Sequence, residues 1–189
     1  LDMYGAIPGV QGPEAVARRF CDLWCSWTGA TARQGFHMRL FRCDAVLAPR
    51  PCPGHRRLVT DADRPIVVPW MPAFARDIGE SLHESPQAAF DRWLDQGGLW
   101  LWDHDGPVAM TSCRLTPHSG ARIAYVYTPD ALRGRGYASN LVAAVTRGVL
   151  DDARIPFLHT DLSNPTSNHI YEVMGYRAIQ DEREFLFDV

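Results

Sequence analysis

The sequence predicts a mixed α/β (α+β) fold, in which a mostly antiparallel sheet is flanked by helices. The run LWLWDHDGPVAMTSCRL contains two strand-like segments around an Asp-Gly turn, and ARIAYVYTP adds a third strand, as in an antiparallel meander. From there the pattern alternates between helix, strand, helix and strand until the chain ends. With 189 residues, of which 46% are hydrophobic, the chain can bury a substantial core.

The front of the chain predicts one helix and one strand. Residues 1–12 contain four glycines or prolines and predict an irregular lead-in, after which Pro13 suits the first turn of a helix over PEAVARRFCDLWCSWTGA. The run GFHMRLFRCDAVL alternates apolar and polar residues as a strand does. The expected apolar face of the helix consists of Val16, Phe20, Leu23, Trp24 and Trp27.

A proline-rich run, APRPCPGH, is the strongest boundary signal in the chain and divides it into an N-terminal extension, residues 1–53, and a main domain, residues 54–189. One helix and one strand bury too little surface to fold alone. We therefore expect the extension to pack on the main domain, on a partner chain or on a segment that precedes it.

The main domain begins with a short strand, RRLVT, and a helical run that Pro69 and Pro72 interrupt, which predicts a kinked or split helix. The run SPQAAFDRWLDQGG predicts a second helix, with Ser85 as its cap and a Gly-Gly stop. A third helix is predicted from Gly136 to about Ala153, followed by a buried strand, a short helix and a last strand.

Charge and composition exclude several classes of protein. A formal net charge of −3 and a pI near 6.2 give no general basic field for nucleic acid or for an anionic membrane. The chain shows neither a long apolar run nor a signal-peptide pattern, so we expect a cytoplasmic protein. Its five cysteines form no CxxC pair, which favours buried, reduced thiols over disulfides or a metal site.

The stretch VYTPDALRGRGYASNL indicates a local anion site between a strand and a helix. Gly134 and Gly136 leave backbone N–H groups uncovered, and the first amides of the following helix have no internal partner. Arg133 and Arg135 add mobile positive charge. A phosphate or pyrophosphate can accept several of these hydrogen bonds at once.

Other interpretations of this stretch remain open on the residues alone. It lacks the Gly-Lys-Ser/Thr of a P-loop and the third glycine of a dinucleotide fingerprint. A solvated turn that caps a helix is the plainest alternative. A nucleotide-binding or nucleic-acid-binding domain is disfavoured by the acidic net charge.

Two motifs in register resemble the GNAT superfamily of N-acyltransferases. Arg133, Gly136 and Ala138 match its acyl-CoA signature, Gln/Arg-x-x-Gly-x-Gly/Ala. The run FLHTDLSNPTSNHIYEVMGYRAI then supplies the expected order of strand, Asn164, helix with Tyr171, and Gly-aromatic. These motifs cover residues 126–138 and 157–176, and the order of elements agrees over residues 56–189. The resemblance implies the GNAT fold with splayed central strands.

The resemblance also implies the cofactor, acetyl-CoA, and the residues that hold it. The pyrophosphate would lie on the loop amides, the pantetheine arm would run between the splayed strands, and Asn164 would contact that arm, although this Asn also suits a turn or a helix cap. The implied cofactor-binding residues are Val126, Tyr127, Arg133, Gly134, Arg135, Gly136, Tyr137, Ala138 and Asn164.

In the family a tyrosine at the position of Tyr171 protonates the departing thiolate, although the same residue also suits a core aromatic. Many relatives carry a glutamate base on the strand that matches ARIAYVYT, and this strand has none. Replacement candidates for the base are His118, His159, Asp161, Glu80 and Glu84, of which Glu80 and Glu84 also lie where the family binds its acceptor.

The predicted function is therefore transfer of an acetyl group from acetyl-CoA to a primary amine of a small molecule or peptide, by direct attack. The alternative is a non-catalytic acyl-CoA-binding or regulatory module, which the missing strand carboxylate favours. Residues 1–53 resemble the tail of a degenerate half-domain that some relatives carry. Neither the acceptor nor the oligomeric state can be predicted from this sequence.

Overall fold

The structure is a computed structural model that describes residues 7–79 and 84–188. The described residues form eight strands and five helices, and the strands are mostly antiparallel, which confirms the predicted fold class. The strands are β1 (Gly9–Pro13), β2 (Thr31–Cys43), β3 (His55–Leu58), β4 (Leu99–Asp103), β5 (Pro107–Leu115), β6 (Gly120–Tyr127), β7 (Ile155–Asp161) and β8 (Tyr176–Asp188). The helices are α1 (Glu14–Thr28), α2 (Arg64–Asp77), α3 (Pro86–Gln96), α4 (Tyr137–Asp151) and α5 (Pro165–Val173).

The chain divides into two compact units. The first unit contains the described parts of Leu1–Phe41, His159–Glu172 and Arg177–Val189. The second unit contains the described parts of Arg42–Leu158 together with Val173–Tyr176. This division by packing differs from the domain boundary after residue 53, which stays a prediction.

The strands of the first unit follow the order β1, β8, β2 and β7, so the strand from the N-terminal extension lies between two strands from the end of the chain. β1 pairs with β8 in antiparallel register, from Gly9 opposite Leu186 to Pro13 opposite Glu182. The prediction of an irregular lead-in is therefore wrong for this segment. A Cβ on Gly9 would lie 2.5 Å from the Phe185 carbonyl oxygen, so this glycine permits the close approach of β8.

Helix α1 begins and ends close to its predicted bounds but buries a different face. Ala17 and Cys21 are buried against Phe185 and Phe187, because small side chains let the helix approach the strand closely. Trp24 contacts the ring of Phe187 at a centroid distance of 6.0 Å. The other residues of the predicted apolar face are exposed: Val16, Phe20, Leu23 and Trp27.

The second unit contains the predicted meander, β4 to β6, with β3 paired to β4 in antiparallel register. The turn between β4 and β5 places Asp105 and Gly106 at φ values of 59° and 119°, as the Asp-Gly signal predicted. Its main core lies where α2 and α3 meet this sheet, and includes Val67, Met71, Phe90, Leu99 and Leu101.

Helix α2 runs without a break through Pro69 and Pro72, so the prediction of a split helix is wrong. Val67, Met71 and Ala75 recur at intervals of four and are buried on one face. Their burial offsets the backbone hydrogen bonds that the two prolines remove. Helix α3 agrees with its prediction, since Ser85 Oγ accepts a hydrogen bond from the Ala88 N–H at 3.2 Å.

The parallel pairing of β6 and β7 covers only the first three residues of each strand, Gly120–Arg122 and Ile155–Phe157. Further along, β6 has a bulge, where Tyr125 and Val126 together lie opposite Thr111 of β5. Tyr125 has a φ of 52° at this bulge. These features are those expected of the splayed central strands.

Within the part of the chain that the structure describes, every helix is too short or too polar to cross a membrane.

Candidate active site

The loop between β6 and α4 ends in an open helix N-terminus in the second unit. Gly136 is the N-cap of α4, in the left-handed region at φ 82°, and its side chain offers no cap. The N–H of Asn140 donates to the Gly136 carbonyl at 3.0 Å. The amides of residues 137–139 precede this first helical hydrogen bond and lie at the positive end of the α4 dipole. The geometry therefore provides converging donors for an anion.

The two loop glycines are needed for their backbone conformation rather than for space. Gly134 has a φ of 75°, and no atom lies within 4 Å of where its Cβ would stand. A Cβ on Gly136 would meet Asn140 Nδ2 at 3.5 Å, which is an ordinary contact. A side chain at either position is strained only through its positive φ.

Arg133 is held in place, which corrects the expectation of a mobile charge. Its guanidinium donates to Asp77 at the end of α2, lies 2.9 Å from Asp130 Oδ1, and donates through Nε to the Thr128 carbonyl at 2.9 Å. Its Cζ lies 5.9 Å from the centre of the Tyr127 ring. Arg133 thus ties the loop to α2. Its pairing with Asp77 joins residues 56 positions apart, so no local pattern could predict it.

Sequence reasoning missed two further contacts of this loop. Asn140 Nδ2 donates to the Gly136 carbonyl at 2.9 Å and to the Arg50 carbonyl at 3.0 Å, so it joins the proline-rich segment to the start of α4. Tyr137 is buried, and its Oη lies 2.8 Å from His104 Nδ1. Tyr137 therefore can offer the loop its backbone N–H, while its ring anchors the helix.

The bulged end of β6 is surrounded by aromatic rings. Tyr125 stacks on Phe74 at 5.1 Å, and Tyr127 packs against Trp70 at 6.0 Å. Thr111 Oγ1 donates to the Ala124 carbonyl at 3.0 Å, which fixes the strand just before the bulge. Burial raises the pKa of Tyr127. The predicted residues Val126 and Tyr127 thus lie on a rigid, half-buried piece of strand.

Tyr171 and Asn164 lie in the first unit, on α5 and just before it. Asn164 Oδ1 accepts a hydrogen bond from the Ser167 N–H at 3.0 Å, so Asn164 caps α5, as one of its two interpretations expected. The Tyr171 ring packs against Phe41 at 6.5 Å and remains partly exposed. Burial raises the pKa of Tyr171 to about 12.

A further residue, Asn168, fixes the turn between β7 and α5 and was not predicted. Its side chain is hydrogen-bonded to Thr160, and its Nδ2 donates to the carbonyls of Asp161 and Leu162 at 3.3 Å each. Asp161 Oδ1 accepts from both the N–H and the Oγ of Ser163 at 2.7 Å. This turn therefore holds α5, and with it Tyr171, in a defined place after β7.

The base candidates differ in their surroundings. His159 Nε2 lies 3.4 Å from Glu182 Oε2, and these side chains are 16% and 15% exposed. Glu84 is an exposed partner of Arg92 at 2.5 Å, and His118 is exposed in the turn before β6. Glu80 lies outside the described residues. Across residues 7–79 and 84–188, no group of three or more His, Cys, Asp or Glu side chains is arranged to hold a metal ion.

Comparison with known proteins identifies the class of this site. Residues 101–186 match the family model of the FR47-like proteins. An acetyltransferase structure from the GNAT family of Novosphingobium aromaticivorans is 24% identical, with a TM-score of 0.61 over 82% of this chain and 66% of its own. A GNAT-family acetyltransferase from Colwellia psychrerythraea is 14% identical, with a TM-score of 0.69 over 97% of this chain and 66% of its own.

A GCN5-related N-acetyltransferase from Sphaerobacter thermophilus is 17% identical, with a TM-score of 0.67 over 95% of this chain and 59% of its own. The chain thus spans between 59% and 66% of the length of these three structures. A search of the curated proteins found no match.

The chain has the GNAT fold, and the resemblance of its sequence to the GNAT superfamily is confirmed. Within that class, the matching family model is the FR47-like one, over the region that begins in β4 and ends in β8.

Proposed function

We propose that this protein is an N-acyltransferase that moves an acetyl group from cytoplasmic acetyl-CoA to a primary amine of a small molecule or peptide. The observation that carries the proposal is the bulged β6, followed by the Gly134–Gly136 loop and the open N-terminus of α4. These features lie together in the second unit and form a site for a pyrophosphate. The GNAT fold supports an acyl-CoA as the molecule that carries it.

In this proposal, the loop amides from Arg133 to Ala138 accept the pyrophosphate, and the exposed Arg135 adds charge. Arg133 acts by holding the loop against α2. Backbone groups of Val126 and Tyr127 bind the pantetheine amides in the manner of an added strand. One of their N–H groups stabilises the oxyanion that forms when the amine attacks the thioester.

Tyr171 is proposed as the acid that serves the leaving thiolate. Its pKa of about 12 keeps the phenol protonated at every physiological pH. A free thiol has a pKa of about 8.5, so complete proton transfer from this phenol would be uphill. Tyr171 therefore acts mainly as a hydrogen-bond donor to the developing thiolate, and water completes the protonation. Asn164 is proposed to contact the cofactor through its side-chain amide while it caps α5.

The acidic residues of the acceptor region carry less free charge than their number implies. Asp77 is paired with Arg133, and Glu84 is paired with Arg92. An acceptor chosen only by negative charge is therefore disfavoured. The acceptor is proposed as a primary amine held largely by the aromatic surface that Trp70, Phe74 and Tyr127 form.

The test is release of CoA thiol from acetyl-CoA in the presence of separate primary amines: spermidine, lysine methyl ester and a dipeptide with a free N-terminus. We expect thiol release that depends on the amine, with one acetylated amine found by mass spectrometry for each thiol released. Acetyl-CoA binding without amine-dependent release would favour the non-catalytic module instead. Absence of both binding and release would contradict any acyl-CoA function.

A further inference from the structure

A histidine–glutamate pair in the first unit lies on the strand that leads to Tyr171. His159 is in β7, and α5 with Tyr171 follows β7 along the chain. Glu182 is in β8, with β2 between the two strands. His159 Nε2 and Glu182 Oε2 are 3.4 Å apart, and both side chains are more than four-fifths buried, at 16% and 15% exposure.

The glutamate is held so that it can orient the histidine ring. Gln180 Nε2 donates to Glu182 Oε1 at 3.1 Å, which leaves Oε2 to face His159 Nε2. A carboxylate that is fixed at one oxygen and paired with an imidazole at the other sets which ring nitrogen carries the proton. The arrangement is that of a base with its orienting partner.

The charges that face His159 are negative on every neighbouring strand. Side chains alternate along a strand, so Glu182 and Gln180 lie on the face opposite to Asp181 and Arg183. On β2, Arg39 binds Asp181, and His37 faces Glu14 of α1, which places both on that opposite face. On β7, Asp161 lies two residues after His159 and shares its face. The groups beside the imidazole are therefore Glu182 and Asp161, and both favour its protonation.

Stability alone does not account for this pair. The Arg39–Asp181 pair in the same unit has bidentate contacts of 2.7 and 2.9 Å, which is the geometry that repays desolvation. The His159–Glu182 contact is longer and has a single link, so its attraction recovers less of the cost of burying two titratable groups. Titratable pairs of this kind are concentrated at functional sites.

We infer that His159 is the general base of the acyl transfer and that Glu182 is its positioning residue, an inference that rests on the proposed function. The imidazole takes one proton from the acceptor ammonium. The free amine attacks the thioester carbonyl, forming the C–N bond and breaking the C–S bond, with loss of a second N–H proton to water. The thiolate leaves and is protonated, and the imidazolium returns its proton to water. One proton is released for each turnover.

The other base candidates fit this role less well. Asp161 already accepts two hydrogen bonds from Ser163. Glu84 is paired with Arg92, and His118 is exposed in a turn. β6 contains no carboxylate between Gly120 and Tyr127.

The test compares two amines of different basicity in wild type, His159→Gln and the matched control His118→Gln. An alkylamine such as spermidine is protonated at pH 7 and needs a base, whereas an alkoxyamine is largely unprotonated and does not. We expect His159→Gln to lower kcat/KM for the alkylamine by about 100-fold or more while the alkoxyamine loses less than about 3-fold. His118→Gln should leave both unchanged.

A second variant, Glu182→Gln, separates positioning from mere structure and serves if His159→Gln fails to fold. The carboxylate favours the imidazolium, so its loss lowers the pKa of the base. The acidic limb of the kcat/KM profile should then move to lower pH by about one unit. A purely structural role would lower the rate without moving that limb.

The outcomes separate the two proposals. If wild type transfers acetyl groups and both amines respond equally to His159→Gln, or the acidic limb is unmoved in Glu182→Gln, the base assignment is overturned and the acyltransferase proposal stands. If wild type transfers nothing to either amine, the proposed function itself fails, and the base assignment fails with it.

Discussion

Tyr171 is the residue on which the proposed chemistry depends most directly. Its phenol has a pKa of about 12, because burial disfavours the phenolate. We predict that Tyr171→Phe lowers kcat by about 10- to 1000-fold, since only the hydrogen bond to the leaving thiolate is lost. The dissociation constant of acetyl-CoA, measured by calorimetry, should change by less than about 2-fold.

The raised pKa also gives a sign for the pH dependence of this residue. The active form is the protonated phenol, so Tyr171 should cause no fall in kcat below about pH 11. The control is Tyr176→Phe, which removes a buried hydrogen bond to Thr146 of 2.6 Å and so lowers stability without touching the proposed site. Equal turnover in wild type and Tyr171→Phe, with chemistry rate-limiting, would exclude the acid role.

The residues of the loop show what local sequence can predict. Gly134 and Gly136 were predicted because a positive φ before a helix is a local requirement, and both adopt it. The fixed position of Arg133 depends on Asp77, and the capping of the loop depends on Asn140 and Arg50, all of which are distant pairings. The pattern therefore predicts the donors but not the framework that holds them.

At the scale of elements, the start of α2 depends on a cluster of charges. Asp63 precedes α2, is 7% exposed, and accepts hydrogen bonds of 2.7 Å each from Arg57 Nη1 and Nη2. Asp63 also caps the preceding turn with Thr60, and Arg57 binds Asp103 of β4. We predict that Asp63→Asn lowers the free energy of unfolding by about 2–4 kcal/mol, because Arg57 keeps a half-buried charge with a weakened partner.

The measurement is urea denaturation followed by tryptophan fluorescence, with Asp61→Asn as the control, since Asp61 lies in the same turn but is 74% exposed. Burial raises the pKa of Asp63, but hydrogen bonds from Arg57 and Thr60 outweigh it and hold the pKa below its usual value. The hydrogen bond from Arg57 likewise lowers the pKa of Asp103. The pair therefore stabilises the fold above about pH 4, the ordinary pKa in the unfolded chain, and this stability is lost as pH falls further.

The same dependence on pH should be weaker in Asp63→Asn. If the variant matches wild type in its unfolding midpoint at pH 7 and pH 3, the cluster does not stabilise α2.

The elements that the sequence missed share a physical reason. β1 forms because β8 supplies its hydrogen-bond partners, and a local pattern with two glycines cannot show this. α1 turns its small residues, Ala17 and Cys21, to the sheet instead of its large ones, because close approach decided the packed face. α2 continues through two prolines because burial of its other face outweighs propensity.

At the scale of the whole chain, the net charge of −3 means that any anion must be bound by local geometry. The N-terminal segment supplies β2 within the first unit, between β8 and β7, so it contributes to the sheet as well as preceding the main domain. The order of elements and both motifs could be predicted from periodicity and spacing. The place of β2 could not, because strand order is set by pairing between distant segments.

The central claim is that the loop before α4 binds the pyrophosphate of acetyl-CoA, and calorimetric titration of acetyl-CoA and of CoA tests it most directly. Gly136→Ala should be compared with Gly29→Ala, since these glycines adopt φ values of 82° and 76° with ψ of 4° in each. Both substitutions impose a similar backbone strain, but only Gly136 lies in the proposed site. We predict binding by wild type and Gly29→Ala, and at least about 10-fold weaker binding by Gly136→Ala. Equal affinity in all three proteins, or no binding by wild type, would contradict the account.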